Sequence, residues 1–153
     1  MNAHGTSQED PLTGPRVLAW RSLMRAQVRV LSQIRGELRP LGVSVSDFDV
    51  LVNIEPGEQL RHSTLAERVV LSRTGLTRLV DRMCRRGLVR RDGVATDGRG
   101  VLISLTPEGE ELRREAVRLN ARAVHRAMAE LTASDVTALR ALTSALGREP
   151  KGT

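Results

Sequence analysis

Several residue types that mark other classes of protein are scarce in this chain of 153 residues. Cys84 is the only cysteine, which excludes an internal disulfide and any zinc site that needs several cysteines. Trp20 and Phe48 are the only aromatic residues, which argues against a sheet that binds single-stranded nucleic acid by base stacking. No window approaches the roughly 18 uninterrupted apolar residues of a membrane span, and the N-terminus lacks the apolar stretch of a signal peptide. We therefore expect a cytoplasmic protein.

The positive charge of the chain is concentrated in one quarter of its length. The net charge is +6, and Lys151 is the only lysine, so the cations are almost all arginines. Residues 61–100 contain ten arginines and four acids, whereas the rest of the chain contains 14 cations and 14 acids. A basic surface this local indicates a polyanionic partner, although a run of arginines is also typical of a solvated face without a partner.

Apolar residues at intervals of three and four predict a long first helix over residues 15–42, with arginines on its opposite face. At 1.5 Å per residue, a helix of roughly 24 residues is about 36 Å long, which is more than a small core covers. Part of this helix is therefore expected to pack on another chain. Ser46 and Asp49 resemble a capping pair and predict a short second helix that ends near Gly57.

Two further short helices follow, joined by a tight polar turn. The third spans 63–70, and the fourth spans 73–86, with Ser72 as its N-cap and Gly87 at its C-terminal end. Two helices joined in this way form a helix-turn-helix pattern. The apolar stripe of the fourth helix leaves hydroxyl and guanidinium groups on the outer face, and a helix of this kind fits the major groove of duplex DNA.

Beyond the fourth helix the apolar period changes from that of a helix to that of a strand. Residues 88–91 and 101–105 are predicted strands of a hairpin with a long glycine-rich tip. Thr106 has the features of an N-cap for a fifth helix, and the segment from Thr132 to Asp135 is a variant capping box for a sixth. The predicted fold is mainly α with a small β wing.

The first, fifth and sixth helices have apolar stripes that exceed what a small winged domain can cover, which indicates that they form a dimer. We therefore predict a winged helix-turn-helix flanked by N- and C-terminal dimerisation helices. The predicted divisions are a flexible tail (1–14), an N-terminal dimerisation helix (15–42), a winged helix-turn-helix DNA-binding domain (43–106), C-terminal dimerisation helices (107–147) and a second tail (148–153).

Six residues at the start and along the outer face of the fourth helix are candidate DNA ligands. Arg73, Thr77 and Arg78 are predicted to contact base edges, because a recognition helix reaches the bases with its first turns. Arg85 and Arg86, near the helix end, are expected to complement the helix dipole. Each arginine has the alternative of a solvated side chain. The predicted phosphate ligands are Ser72, Thr74 and Arg82.

The hairpin tip contains a further candidate. Arg99 is flanked by Gly98 and Gly100, so it can approach the duplex closely and enter a narrow minor groove. Asp97 would weaken the attraction to phosphate if it were free, and we interpret it as a brace that pairs with an arginine and fixes the tip. A loop without function is the alternative.

Five motifs follow one another in the middle of the chain: LAER at 65–68, LSRTGLTRLVDRM at 71–83, GLVRR at 87–91, DGR at 97–99 and LTPEG at 105–109. Together they resemble the winged helix-turn-helix of the MarR family of bacterial transcription regulators. At the level of element order the resemblance covers about 45–147. Each motif alone would be weakly specific, whereas the set in this order is specific.

The resemblance implies an obligate homodimer whose first, fifth and sixth helices interlock, with one recognition helix from each subunit in successive major grooves. Asp97 and Arg99 match the Asp-x-Arg of the family's wing, which implies that wing arginines lie in the flanking minor grooves. It also implies a small aromatic acid in a cleft between the dimer helices and the winged domain. Trp20, Met24 and Phe48 are candidates for that cleft, although a Trp on a helix seam more often belongs to a core.

We predict a homodimeric, sequence-specific repressor that binds a pseudo-palindromic duplex operator and that a small molecule releases from it. No cofactor or metal is expected, because the three histidines (His4, His62, His125) are scattered and no Ser-His-Asp set or phosphate loop is present. An enzyme is therefore disfavoured. Two alternatives stay open: a winged-helix module that binds another protein, and a regulator that responds to oxidation of Cys84.

Overall fold

The structure is a computed structural model that describes residues 13–70, 74–93 and 101–147. In these ranges the chain forms six α-helices and three β-strands, so the predicted class, mainly α with a small β wing, is confirmed. A short 3-10 turn, Arg39–Leu41, follows the first helix. The elements are α1 (Pro15–Leu38), α2 (Val45–Val52), β1 (Leu60–Arg61), α3 (His62–Arg68), α4 (Leu76–Arg85), β2 (Val89–Gly93), β3 (Val101–Leu105), α5 (Pro107–Ala127) and α6 (Ala133–Leu146).

The sheet has three antiparallel strands in the order β1-β3-β2, with β3 in the middle. The predicted hairpin is confirmed, and it pairs Val89 with Leu105 at one end and Gly93 with Val101 at the other. The third strand was not predicted. β1 has only two residues, and Leu60 pairs with Ile103. A strand this short has no alternation of apolar and polar residues by which a sequence could reveal it.

One apolar core joins the C-terminal half of α1, α5 and residues 43–106, which we call the winged segment. α1 contributes Ile34 and Leu38, and α5 contributes Ala116, Leu119 and Ala123. The long helices therefore hold the winged segment between them. The largest fully buried side chains of this core are Leu38, Val50, Leu51, Ile54, Leu65, Val69, Val80, Met83 and Ile103.

Polar contacts reinforce the same packing. Glu37 of α1 forms ion pairs with two arginines of α5, at 3.6 Å from Arg122 and 2.9 Å from Arg126. Arg113 of α5 reaches the end of α2, where its Nε donates to the carbonyl of Leu51 at 3.1 Å and its Nη2 pairs with Glu55 at 2.9 Å. α5 is thus fixed to both α1 and the winged segment.

The two ends of the chain differ from this centre. α6 has no buried residue, and the buried residues of α1 all lie in its C-terminal half. Trp20 and Val28 on α1 are 58% and 64% exposed, and Leu142 on α6 is 66% exposed. Within the described ranges no helix is long and apolar enough to cross a membrane.

The predicted cap of α2 is wrong by two residues. Ser44 is the N-cap: the backbone N–H of Asp47 donates to Ser44 Oγ at 3.0 Å, and the backbone N–H of Ser44 donates to Asp47 Oδ2 at 2.9 Å. Two Ser-x-x-Asp pairs overlap in this segment, Ser44 with Asp47 and Ser46 with Asp49. The helix begins at the first pair, which forms the capping box. Asp49 of the second pair instead accepts the backbone N–H of Val70, at the end of α3, at 3.0 Å.

The predicted start of α4 is also wrong. The helix begins at Leu76 with Gly75 as its N-cap, whereas a start at residue 73 with Ser72 as the N-cap was predicted. Gly75 has a φ of 81°, a left-handed conformation that favours glycine over residues with a side chain. Gly87 follows the helix end with a φ of 69°, as its predicted role requires.

The caps predicted for the last two helices are confirmed. Thr106 Oγ1 accepts the backbone N–H of Gly109 at 3.0 Å at the start of α5. Thr132 and Asp135 form a reciprocal capping box at the start of α6. The carboxylate of Asp135 accepts hydrogen bonds from the hydroxyl and the backbone N–H of Thr132, and these lower the pKa of Asp135 below its ordinary value.

Candidate nucleic-acid interface

The inner face of α4 packs on the core and leaves the other face to solvent. All four residues predicted for its apolar stripe are buried, so this prediction is confirmed. Thr77 and Arg78 lie on the exposed face. Because the buried stripe fixes the helix on the domain, the exposed face has a fixed direction relative to the sheet. The buried residues are Leu76, Leu79, Val80 and Met83.

The structure gathers three of the predicted DNA ligands in one place. Thr74, Arg78 and Arg82 line an open cavity of about 550 Å³ between α4 and the N-terminal end of α2. Thr74 lies in the turn before α4, and Arg78 and Arg82 lie one turn apart on the helix. The other predicted DNA ligands on this side, Ser72 and Arg73, lie outside the described residues and stay predictions.

The predicted tip residues Asp97 and Arg99 also lie outside the described residues. The base of the hairpin is described, and it is fixed to α4 by Arg91. The guanidinium of Arg91 forms an ion pair with Asp81 of α4, and its Nη2 donates to the carbonyl of Thr77 at 3.4 Å. The strands of the wing and the exposed face of α4 therefore form one unit.

His62 adds a residue that the sequence did not assign to the interface. It is the first residue of α3, and its Nε2 lies 3.3 Å from Oγ1 of Thr77. Thr77 is a predicted base-contacting residue, so His62 belongs to the same exposed surface. The two residues are 15 positions apart, and no local pattern in the sequence relates them.

Asp47 is a buried carboxylate beside this surface, with 2% of the residue exposed. Its Oδ1 accepts from Arg82 Nη2 at 2.6 Å, and its Oδ2 lies 3.5 Å from Arg86 Nη1. Burial raises the pKa of Asp47, but hydrogen bonds from Arg82 and Ser44 more than offset this, so the pKa lies below its ordinary value. Arg86 also donates to the carbonyl of Gly42 at 3.0 Å.

These contacts change the interpretation of two arginines. Arg86 was expected to complement the dipole of α4, and in the structure it connects the end of α4 to Asp47 and to the turn before α2. Arg82 was predicted to bind phosphate, and one of its nitrogens contacts Asp47. The sequence could not indicate this partner, because 35 positions separate Asp47 from Arg82.

The three residues predicted for a small-molecule cleft lie in different surroundings. Trp20 and Met24 are exposed on the N-terminal half of α1, whereas Phe48 on α2 packs against the core. An apolar cavity of about 530 Å³ lies between α1 and α6, and none of these three residues lines it. Its walls include Leu23, Val30, Leu31, Val136 and Leu139.

Cys84 is half-buried and packs against the core, as a small apolar side chain does.

The chain is similar to known proteins in both sequence and structure. The sequence model of the MarR family matches residues 41–100. The transcriptional repressor MprA of Escherichia coli K12 is 25% identical over 142 residues, which cover 92% of this chain and 81% of MprA.

Two solved structures share the fold. AbsC, a MarR family transcriptional regulator from Streptomyces coelicolor, has a TM-score of 0.77 and 30% identity over 89% of this chain and 92% of AbsC. Sco3205, a MarR family regulator of the same organism solved in complex with DNA, has a TM-score of 0.80 and 29% identity, covering 92% of this chain and 95% of Sco3205. At 30% identity over 92% of its own length, AbsC shows that the chain belongs to the MarR family, and the family model and Sco3205 agree with this.

Proposed function

We propose that this chain is a homodimeric repressor that binds a pseudo-palindromic operator with the exposed faces of two α4 helices. Membership of the MarR family makes it a DNA-binding transcriptional regulator rather than an enzyme. The observation that carries the proposal is the exposed face of α4. A helix anchored by four buried side chains presents Thr77 and Arg78 to solvent, beside Thr74 of the turn that precedes it.

The chemistry of this face suits duplex DNA. The major groove admits one α-helix, and guanidinium groups form paired hydrogen bonds with guanine or with phosphate oxygens. We assign base contacts to Thr77, Arg78 and Arg73, and phosphate contacts to Thr74 and Ser72. In the wing we assign a minor-groove contact to Arg99. Sco3205, which was solved with DNA, supports the assignment of DNA as the partner.

The uncovered apolar surface of the first and last helices supports a dimer. α6 exposes Leu139, Leu142 and Leu146 along one side, and α1 exposes Trp20 in its N-terminal half and Val28 near its middle. A second copy covers such surfaces symmetrically, because the same patch serves both partners in a two-fold interface. We therefore assign 15–42 and 107–147 to dimerisation and 43–106 to DNA binding. Two-fold symmetry places the half-sites about 10 bp apart.

The direction of regulation and the effector complete the proposal. MprA, named as a transcriptional repressor, supports repression. The effector that we assign is a small aromatic acid, as the resemblance to the family implies. Such an acid releases DNA only if it binds the non-binding arrangement of the dimer more tightly, by a few kcal/mol.

Selection from a pool of random duplexes tests the proposed function. The full chain is expected to enrich a pseudo-palindrome with half-sites about one helical turn apart. The enriched duplex must then resist competition by unrelated duplex near 150 mM salt, at which non-specific binding is weak. A pool that stays random through repeated rounds would contradict sequence-specific binding. Binding to duplex DNA that does not depend on salt would favour a protein as the partner.

A further inference from the structure

Three arginines follow one another at intervals of four, two in α4 and the third at its C-cap, and share one side of the helix. They are Arg78, Arg82 and Arg86, and all three line the cavity between α4 and α2. Their partners differ. Among the described residues Arg78 has no carboxylate partner, whereas Arg82 and Arg86 both contact the carboxylate of Asp47. The three arginines share one side of the helix, but only the charge of Arg78 is not paired with a carboxylate of the described residues.

The carboxylate of Asp47 contacts the guanidinium groups of Arg82 and Arg86, which a phosphate could also bind. A phosphate offers anionic oxygens to guanidinium groups, and so does a carboxylate. Oδ1 of Asp47 binds Arg82 at 2.6 Å, while Oδ2 faces Arg86 and accepts the backbone N–H of Ser44. The carboxylate is held in this position by the cap of α2, so it does not need to be ordered when the arginines bind it.

The pair with Asp47 reduces what Arg82 and Arg86 offer to DNA. Attraction between an arginine and a phosphate is opposed when a second anion lies within hydrogen-bonding distance of the same guanidinium. The opposition is strong here because Asp47 is buried, and charges in a partly buried site are screened less than charges in water. Arg78, one turn away, keeps its full charge for the duplex.

The same contacts fix the orientation of α4. Asp47 belongs to the first turn of α2, and Arg86 also binds the carbonyl of Gly42 in the turn before it. The recognition helix is thereby connected to α2 by its polar side as well as by its apolar stripe. Direct contact with base edges depends on such a fixed orientation, whereas attraction to phosphates does not.

We propose that Asp47 is a specificity-determining residue of the DNA interface, which binds Arg82 and Arg86 in place of phosphate and so limits the binding of unrelated sequences. This inference rests on the proposed function. Its distinctive consequence concerns the charge of Asp47. Loss of this charge should strengthen binding to unrelated duplex more than binding to the operator.

The substitution Asp47→Asn tests the inference, because the amide has the same size and its oxygen can still accept the N–H of Ser44. Dissociation constants are measured for the selected operator and for an unrelated duplex over a range of salt concentrations. We expect several-fold tighter binding of the unrelated duplex near 150 mM salt, with a salt dependence steeper by about one to two phosphate contacts. The ratio of operator affinity to unrelated affinity should fall several-fold.

Two results would overturn the inference. An unchanged ratio in a variant whose thermal unfolding shows it to be folded means that Asp47 has no effect on specificity. Weaker binding to both duplexes, with a shallower salt dependence, means that Asp47 instead orients Arg82 toward a phosphate.

Arginine variants keep the test decisive if Asp47→Asn fails to fold. Loss of one full phosphate contact reduces the slope of log affinity against log salt by about one, and Arg82→Gln should reduce it by less than half as much. A reduction of about one would show that Arg82 binds phosphate with Asp47 in place, and the inference would be wrong. Where Asp47→Asn does fold, Arg82→Gln in that background should remove most of the gained salt dependence.

The wild-type protein separates this inference from the proposed function. If the wild type shows no preference for any duplex, the proposed function fails. If the wild type is selective and Asp47→Asn is equally selective, only the role of Asp47 fails.

Discussion

The winged segment and the terminal helices of this chain differ in how much of their apolar surface the chain itself covers. Every apolar residue predicted for the inner side of α4 is buried, whereas no residue of α6 is. Both helices are amphipathic in sequence, so periodicity alone does not distinguish them. The difference shows that the winged segment is covered by its own chain, whereas the proposed function assigns the cover of the terminal helices to a second copy.

The largest expected effect comes from removing the helices that connect the two regions. A chain truncated before Thr106 loses Ala116, Leu119 and Ala123 from the core and loses the contacts of Arg113 with α2. We expect this fragment to lack a cooperative thermal transition, because the lost burial is comparable to the marginal stability of a domain. Circular dichroism on heating measures this. A fragment that unfolds cooperatively as a monomer would show that the winged segment needs no long helix.

A charge on the exposed side of α6 tests the role of the terminal helices. Leu142→Glu places a carboxylate in the proposed interface of both copies, and we expect dimer dissociation to increase at least about 100-fold, since burial of one leucine contributes about 1.5–3 kcal/mol. Sedimentation velocity over a concentration series measures the dissociation. Ser144→Glu, on another side of the same helix, is the control. Equal effects of the two substitutions, or none from either, would argue against this interface.

Two glycine-to-alanine substitutions compare the regions by packing. A Cβ at Gly109 would overlap the carbonyl of Leu88, so Gly109→Ala should destabilise the protein by about 1–3 kcal/mol. Gly36 in α1 has nothing within 4 Å of its added Cβ, and Gly36→Ala should stabilise the helix by up to about 1 kcal/mol. Chemical denaturation measures both. The same sign for the two variants would contradict the account of the core.

Arg78→Ala tests the exposed face of α4. We expect a loss of about 1–3 kcal/mol on the selected operator and a much smaller loss on unrelated duplex, as for a side chain that contacts a base edge. Fluorescence anisotropy titrations measure both affinities. Arg114→Ala, which removes an exposed arginine from α5, is the matched control and should change neither. Equal losses on the two duplexes would reassign Arg78 to a phosphate.

The smallest expected effect is the acid dependence of stability through Asp47. Its pKa is lower in the folded state than the ordinary value of about 3.9, so its contribution to stability is complete above that value and is lost as the pH falls through the folded pKa. Between about pH 5 and pH 2 the thermal midpoint of the wild type should therefore fall more than that of Asp47→Asn. Parallel curves for the two proteins would show that the carboxylate does not stabilise the fold.

The features that the sequence predicts well are those that depend on neighbouring residues. Intervals of three and four place Leu76, Leu79 and Met83 on one side of α4, and the same side is buried, because packing on a core imposes that period. The caps at Thr106 and Thr132 were likewise predictable, since each cap is a contact between residues three positions apart.

The features that the sequence does not predict depend on partners far apart in the chain or on a choice between neighbouring candidate N-cap residues. Asp47 meets Arg82 across 35 positions, and His62 meets Thr77 across 15, so no local pattern contains either contact. The start of α4 was misplaced because serine is a favoured N-cap, whereas the helix begins after the left-handed Gly75. Charge counts located the basic segment but could not show that two of its arginines share a buried carboxylate.

We propose that two copies of this chain place their α4 helices on one duplex. The most direct test is the stoichiometry and affinity of the full chain on the selected operator and on a duplex with one half-site scrambled, measured by sedimentation together with titration. We expect two chains per operator and an affinity at least about 100-fold weaker on the scrambled duplex, because each mismatched base pair costs about 1–3 kcal/mol. One chain per duplex, with equal affinity for both duplexes, would contradict the claim.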